Sequence, residues 1–266
     1  DNEQANLKLL CDEIFGQDNF TGLFTIQSNP RGSQSSKHLA DVHEYILMYS
    51  KNTQMLLING FCKSDDAINE YIETDYSGKK YRLLGLRQRG GAWRREDRPN
   101  MFYPIYINPK TLLVSLVQTN DFTIEVLPKR PTGEESRWTW SKEKLLNEIN
   151  LIRAKKINRL PETECYDVFR IDFLENINGE IKTTKPKTIW CEKEVNYQNG
   201  RTDINNLFGN SDIFAYPKPT YIISQLATIA EIHNEIILDF FAGSGTTGDA
   251  VMKLNAEDGG NRKFIL

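Results

Sequence analysis

The chain has 266 residues, 39% hydrophobic and 26% charged, with 33 Lys+Arg against 36 Asp+Glu for a formal net charge of −3. That length allows one large domain or two small ones, and the longest apolar runs, such as Ile236-Ile237-Leu238, are far too short for a membrane-spanning protein. Near-average Gly and Pro exclude a collagenous or low-complexity chain, and Cys11, Cys62, Cys165 and Cys191, with no CxxC spacing, offer neither a zinc framework nor a disulfide scaffold, so a reduced, cytoplasmic compartment is expected.

The first residues, Asp1-Asn2-Glu3-Gln4, lack an initiator Met and an apolar leader, and the last, Lys263-Phe264-Ile265-Leu266, form a strand-like run with no cap, so a piece of a longer protein is expected. Residues 4–15 place Leu7, Leu10, Cys11, Ile14 and Phe15 at helical spacing, with Gly16 as a stop. Leu23 to Ile26 reads as a strand, SNPRGSQSSKH (28–38) as a long polar loop, and His43 to Ser50 as a buried strand in which His43 and Tyr45 pack.

From residue 79 the texture changes. KKYRLLGLRQRGGAWRREDRPN holds eight basic residues against two acidic ones, a net +6 inside a chain of −3. Strand-like pieces follow at 102–107, 112–116 and 123–126, then a turn at Pro131-Thr132-Gly133. A helix is predicted over Ser141 to Lys156, with Ser141 as N-cap and Lys144 where a capping box would want Glu. Strand candidates at 168–173 and 189–191 complete a region that reads as a separate α+β insertion.

The last segment is the most regular. Ile222, Ile223, Leu226, Ile229 and Ala230 share a helical face over 220–230, residues 235–241 read as a strand covered on both faces, and a glycine-rich turn, a helix and a further strand follow, which together make a βαβ unit. The turn fits several ligands. Gly243 and Gly248 have P-loop spacing, but Asp249 stands where lysine should meet phosphate and would repel it. Gly243, Gly245 and Gly248 match the dinucleotide pattern Gly-x-Gly-x-x-Gly, which leaves a nicotinamide-dependent oxidoreductase open. S-adenosylmethionine, positive at its ammonium and sulfonium, suits Asp239 at the strand tip. A plain tight connection is the structural alternative.

Leu238-Asp239-Phe240-Phe241-Ala242-Gly243-Ser244-Gly245-Thr246-Thr247 resembles the cofactor motif of DNA amino-methyltransferases, and Phe214-Ala215-Tyr216-Pro217-Lys218-Pro219 resembles the Lys-Pro motif that precedes it in the permuted β class. Further stretches, among them 7–16, 29–52, 82–106, 136–145, 185–190 and 257–266, resemble the modification subunit of type III restriction systems, adenine-N6 specific. The resemblance implies an α/β fold: a Rossmann-like methyltransferase core over 1–78 and 200–266, with a target recognition insertion over 79–199. It implies S-adenosylmethionine bound by Asp239, Phe240, Phe241, Ala242, Gly243, Ser244, Gly245 and Thr246, with Phe214, Lys218 and Pro219 beside it. It also implies double-stranded DNA as substrate, held by Arg31, Lys37, Arg87, Arg89, Arg94 and Arg95, in a homodimer that works with a restriction subunit.

One departure matters. The family's catalytic Asp-Pro-Pro-Tyr, or an Asn or Ser variant of it, occurs nowhere in the 266 residues. That motif accepts the exocyclic amine of a flipped adenine, so the chain by itself is expected not to methylate. A non-catalytic DNA-binding module therefore remains open. The arginine stretch could also be a solvated surface, Lys218 a plain helix-entry residue, and Trp93, Trp138 and Trp140 core aromatics rather than base-stacking ones.

Overall fold

The computed structural model describes residues 3–32, 37–159 and 162–266, with the side chains of residues 159 and 162–164 left out. The middle of the predicted 28–38 loop lies outside the described residues. In chain order the helices are α1 (Gln4–Phe15), α2 (Asp65–Asn69), α3 (Lys142–Asn147), α4 (Tyr197–Phe208), α5 (Thr220–Ile229) and α6 (Thr246–Asp258). The strands are β1 (Phe20–Ile26), β2 (Glu44–Tyr49), β3 (Glu73–Thr74), β4 (Lys80–Gly85), β5 (Ile105–Ile107), β6 (Val114–Ser115), β7 (Ile124–Val126), β8 (Ile152–Arg159), β9 (Glu162–Phe173), β10 (Ile189–Trp190), β11 (Ile236–Leu238) and β12 (Lys263–Ile265). The protein is thus a mixed α/β one, and no described helix is long and apolar enough to cross a membrane.

The chain divides into two compact units, residues 1–62 with 183–266 and residues 63–182. These limits differ from the compositional ones at 79 and 199 because strand pairing sets them. β3 pairs with β4 inside the second unit, whereas β10 joins β1 in the first.

In the first unit, β1 is flanked by antiparallel β2 and parallel β10, with Phe24 opposite Ile46. Alternation along β1 turns Phe24 and Ile26 inward, where they meet Trp190, Val195, Ile222 and Ile229. α1 docks on β2 through polar groups: Lys8 pairs with Asp12 and lies over the Phe20 ring, and Tyr49 donates to Asp12 at 2.7 Å. β11 and β12 are parallel, with α6 as their crossover, which is the predicted βαβ connection. β11 is shorter than the predicted 235–241 strand, and Ile236 and Leu238 are each 62% exposed rather than covered on both faces. It stops at Leu238 because the Asp239 side chain accepts the Phe241 N–H and bends the chain into a turn.

The second unit has two antiparallel sheets, β3-β4-β9-β8 and β6-β5-β7. Leu86, Tyr103, Ile105, Ile107, Trp138, Leu145, Ile152 and Val168 form its core, each at most 1% exposed. Trp138 and Trp140 are core residues, as the structural alternative had it, and the Trp138 indole N–H donates to the Tyr103 carbonyl at 2.8 Å. The helix predicted over 141–156 is corrected: α3 ends at Asn147 and the chain re-enters as β8. Ser141 caps α3 as predicted, accepting from the Lys144 N–H at 3.2 Å. Ile152 and Ala154 then alternate into the core, a strand pattern that the overlapping helical spacing of Leu145 and Ile152 conceals.

Candidate functional site

At the tip of β11, the Asp239 carboxylate holds two elements together. One oxygen accepts from the Phe241 N–H at 3.1 Å, and the other accepts from the Thr247 hydroxyl, in the first turn of α6, at 2.7 Å. Phe240 and Phe241 project outward, 75% and 83% exposed. Gly243 (φ 55°) and Gly245 (φ 76°) adopt the left-handed conformations that glycine reaches without strain. A Cβ on Gly243 would stand 3.7 Å from the Phe214 ring, an ordinary contact distance, so it is the backbone conformation rather than space that favours glycine there. Gly245 is the N-cap of α6 and brings no capping side chain, which leaves the positive end of the helix to an outside acceptor.

The segment from Phe214 to Pro219 is bound to this turn. Ser244 and Thr246 share a hydrogen bond of 2.9 Å, and the Thr246 hydroxyl donates to the Lys218 carbonyl at 3.1 Å. The Lys218 ammonium reaches across to both carboxylate oxygens of Glu44 on β2, at 2.5 and 2.6 Å. Pro217 and Pro219 are buried. Asp203 of α4 accepts from the Thr220 N–H and hydroxyl at 3.1 and 3.0 Å, capping α5 from outside the segment. Asp239, Thr247, Ile46 and Leu226 help to line a cavity of about 470 Å³, and Glu44, Lys218, Ile222 and Leu226 line a neighbouring one of about 490 Å³.

The cofactor residues named from the sequence therefore lie together: Asp239 through Thr246 form the turn, and Phe214, Lys218 and Pro219 stand against it. Glu44, Gly200 (where a Cβ would overlap the Pro217 carbonyl oxygen), Asp203 and Thr247 were not named as site residues. Thr247 sits inside the glycine motif and was within reach of a reading by strand-turn-helix geometry, whereas the other three come from distant sequence and carry no local signal.

The arginines named for DNA divide into two kinds. Arg95 pairs with Glu135 at 2.8 Å and lies over the Phe102 ring, and the Arg87 guanidinium donates to the Lys129 carbonyl, so both are engaged inside the second unit. Arg89 and Arg94 are exposed and have no acidic partner among the described residues. In the first unit, Arg31 and Lys37 are exposed on either side of the undescribed residues 33–36.

Residues 1–265 match the family described as DNA methylase. The chain is 34% identical over 277 residues to the type III restriction-modification enzyme EcoPI Mod subunit of Escherichia phage P1, covering 100% of this chain and 40% of that protein. It is 37% identical over 268 residues to the type II methyltransferase M.KpnI of Klebsiella pneumoniae, covering 100% and 60%. To the type III StyLTI Mod subunit of Salmonella typhimurium strain LT2 it is 31% identical over 270 residues, covering 100% and 36%. The chain thus spans between 36% and 60% of the length of these relatives.

Proposed function

The chain belongs to the DNA methylase family, and on that premise we propose that it forms the cofactor-binding and DNA-recognition part of a site-specific adenine-N6 methyltransferase of a restriction-modification system. The observation that carries the reading is the joined constellation of Asp239, the Gly243–Gly245 turn and the Phe214–Pro219 segment around one helix N-terminus. In this reading unit 1 is a Rossmann-like core and unit 2 an inserted target recognition domain. The parallel βαβ connection, and the fact that unit 2 is one continuous stretch of sequence between the two segments of unit 1, support it.

S-adenosylmethionine, when bound, supplies an electrophilic methyl group on a cationic sulfur. The residues fit such a ligand. Asp239 keeps lone pairs beyond the two hydrogen bonds it accepts and offers negative charge to the cationic end. The N–H groups at the start of α6 suit a carboxylate, and the left-handed glycines let backbone approach without a Cβ in the way. Phe214, Phe240 and Phe241 supply apolar faces that exclude water. Lys218 is held by Glu44 and fixes the height of the Lys-Pro segment against Thr246 rather than acting as a free cation. The Pro-Pro-aromatic motif that would accept the target amine in this reading does not occur among the 266 residues. Double-stranded DNA, a second copy and a restriction subunit are the partners of this reading, in the cytoplasm, in keeping with the relatives named as Mod subunits.

Calorimetric titration with S-adenosylmethionine tests it, with NADH as control. Saturable binding of the first ligand only is expected, weakened about tenfold or more in Asp239→Ala, which removes a charged acceptor. NADH binding in its place, or no binding by a folded chain, would sink the cofactor assignment.

A further inference from the structure

Within unit 2, residues 88–95 form a loop whose backbone is gripped from beneath. The buried Arg137, 7% exposed, donates through Nε to the Ala92 carbonyl at 2.6 Å and through a terminal nitrogen to the Trp138 carbonyl at 3.1 Å. No carboxylate is paired with it among the described residues. The Ser136 hydroxyl, fully buried, lies 3.2 and 3.0 Å from the carbonyls of Gln88 and Trp93. The Gln88 N–H donates to the Arg137 carbonyl at 2.9 Å, and the Gln88 side-chain amide donates to the Gly91 carbonyl at 3.3 Å. Ala92 sits at φ 51°, a left-handed conformation costly for a residue with a Cβ, and the carbonyl that Arg137 captures is its own. On the outer side, the Arg130 guanidinium lies 3.7 Å from the centre of the Trp93 ring and Arg94 lies 5.6 Å from it. Arg130 also donates to the Arg89 carbonyl at 3.4 Å.

We propose that this loop is a preshaped base-reading element for duplex DNA, with Arg89 and Arg94 as the reading cations and Arg137 as the residue that positions them. The proposal deepens the DNA-methyltransferase reading and rests on it. Two observations favour base edges over phosphates. Between residues 87 and 98 the chain has five arginines and no lysine, and the guanidinium presents a rigid planar fork that fits the paired acceptors of guanine in the major groove, whereas an ammonium has no fixed fork geometry. A phosphate contact tolerates a mobile chain, whereas a bidentate base contact needs its cation held to within about half an ångström. A buried guanidinium spent on the carbonyl of a strained alanine provides that rigidity.

The test uses the intact protein and fluorescence anisotropy on two duplexes, one enriched by the wild type from a randomised pool and one scrambled, across a salt series. Arg89→Ala and Arg94→Ala are expected to lose roughly tenfold or more on the enriched duplex, with little change on the scrambled one and an unchanged salt slope. Ala92→Gly, which relieves the left-handed strain and keeps the fold, is expected to lose discrimination while its unfolding midpoint holds or rises. Arg137→Lys should lose discrimination in the same way. Equal weakening on both duplexes with the slope reduced by about one per arginine would make these phosphate contacts and overturn the proposal. Undiminished discrimination in Ala92→Gly and Arg137→Lys would overturn the positioning role. Arginine variants that bind as wild type would overturn the reading role while leaving the methyltransferase reading intact. Wild type that binds no duplex would instead remove the DNA reading on which the proposal rests.

Discussion

Gly200 is the fourth residue of α4, where glycine weakens a helix, and a neighbouring backbone accounts for it. A Cβ there would overlap the Pro217 carbonyl oxygen and stand 2.8 Å from the Pro217 carbonyl carbon. Neither atom belongs to a flexible side chain, so Gly200→Ala must push α4 away from the Lys-Pro segment. The same helix carries Asp203, which caps α5, so the displacement reaches the entry of that helix as well. A loss of about 1–3 kcal/mol in stability is expected, by analogy with overpacked cores, together with weaker S-adenosylmethionine binding. Thermal unfolding and the calorimetric titration check the two effects, and a variant that matches wild type in both would mean that the close approach is dispensable. Gly90 offers the contrast, because a Cβ there meets nothing within 4 Å and Gly90→Ala should leave the unfolding midpoint in place.

At the scale of elements, the turn from α3 into β8 makes a sharp case. Counting a helix from Leu145 puts Ala154 on the opposite, solvent face, whereas the strand places it in the core at 6% exposure. Ala154→Arg is therefore harmless to a helix and expected to cost about 3 kcal/mol or more here, through overpacking and a buried unpaired charge. A fall of several degrees in the unfolding midpoint supports the strand, and an unchanged midpoint would restore the helix. Elements with strong local periodicity were legible in the sequence: α1, β1, β2, α5 and α6 lie where the apolar spacing and terminal glycines put them. α4 was missed although Tyr197, Ile204, Leu207 and Phe208 fall on one helical face, because polar residues fill most of YQNGRTDINNLF and only Gly200 and Ile204 of its twelve residues are buried. Of the candidate site, the turn could be read because glycine and aspartate there act locally. Glu44, Asp203 and Arg137 act on chain more than fifteen residues away or on a folded loop, and only the tertiary structure brings them there.

At the scale of the molecule, each unit carries its own acid-sensitive hub. In unit 2, burial pushes the Asp172 carboxyl up, but hydrogen bonds from Lys182, Arg82 and Tyr71 outweigh it and hold the group below its ordinary value of 3.8. In unit 1, hydrogen bonds from Arg262, then from the Gly260 N–H, hold Asp258 well below the carboxylate range, and Arg262 is itself buried at 5% exposure, donating to the Ile232 carbonyl at 2.7 Å. Both carboxylates bind protons less readily folded than unfolded. Their contribution is therefore complete above about pH 4–5 and is lost as the pH falls through the depressed folded values. Asp172→Asn removes the charge that Arg82 and Lys182 share and should cost roughly 2 kcal/mol at pH 7, in the range for hydrogen bonds to charged groups. The same variant should also lose less on acidification than wild type, because the linked proton is gone. Unfolding midpoints followed by circular dichroism from pH 7 down to pH 2 separate the two effects. A wild-type profile that stays flat below pH 4 would overturn the acid-sensitive hubs, and a falling Asp172→Asn profile parallel to wild type would place the acid sensitivity at other groups.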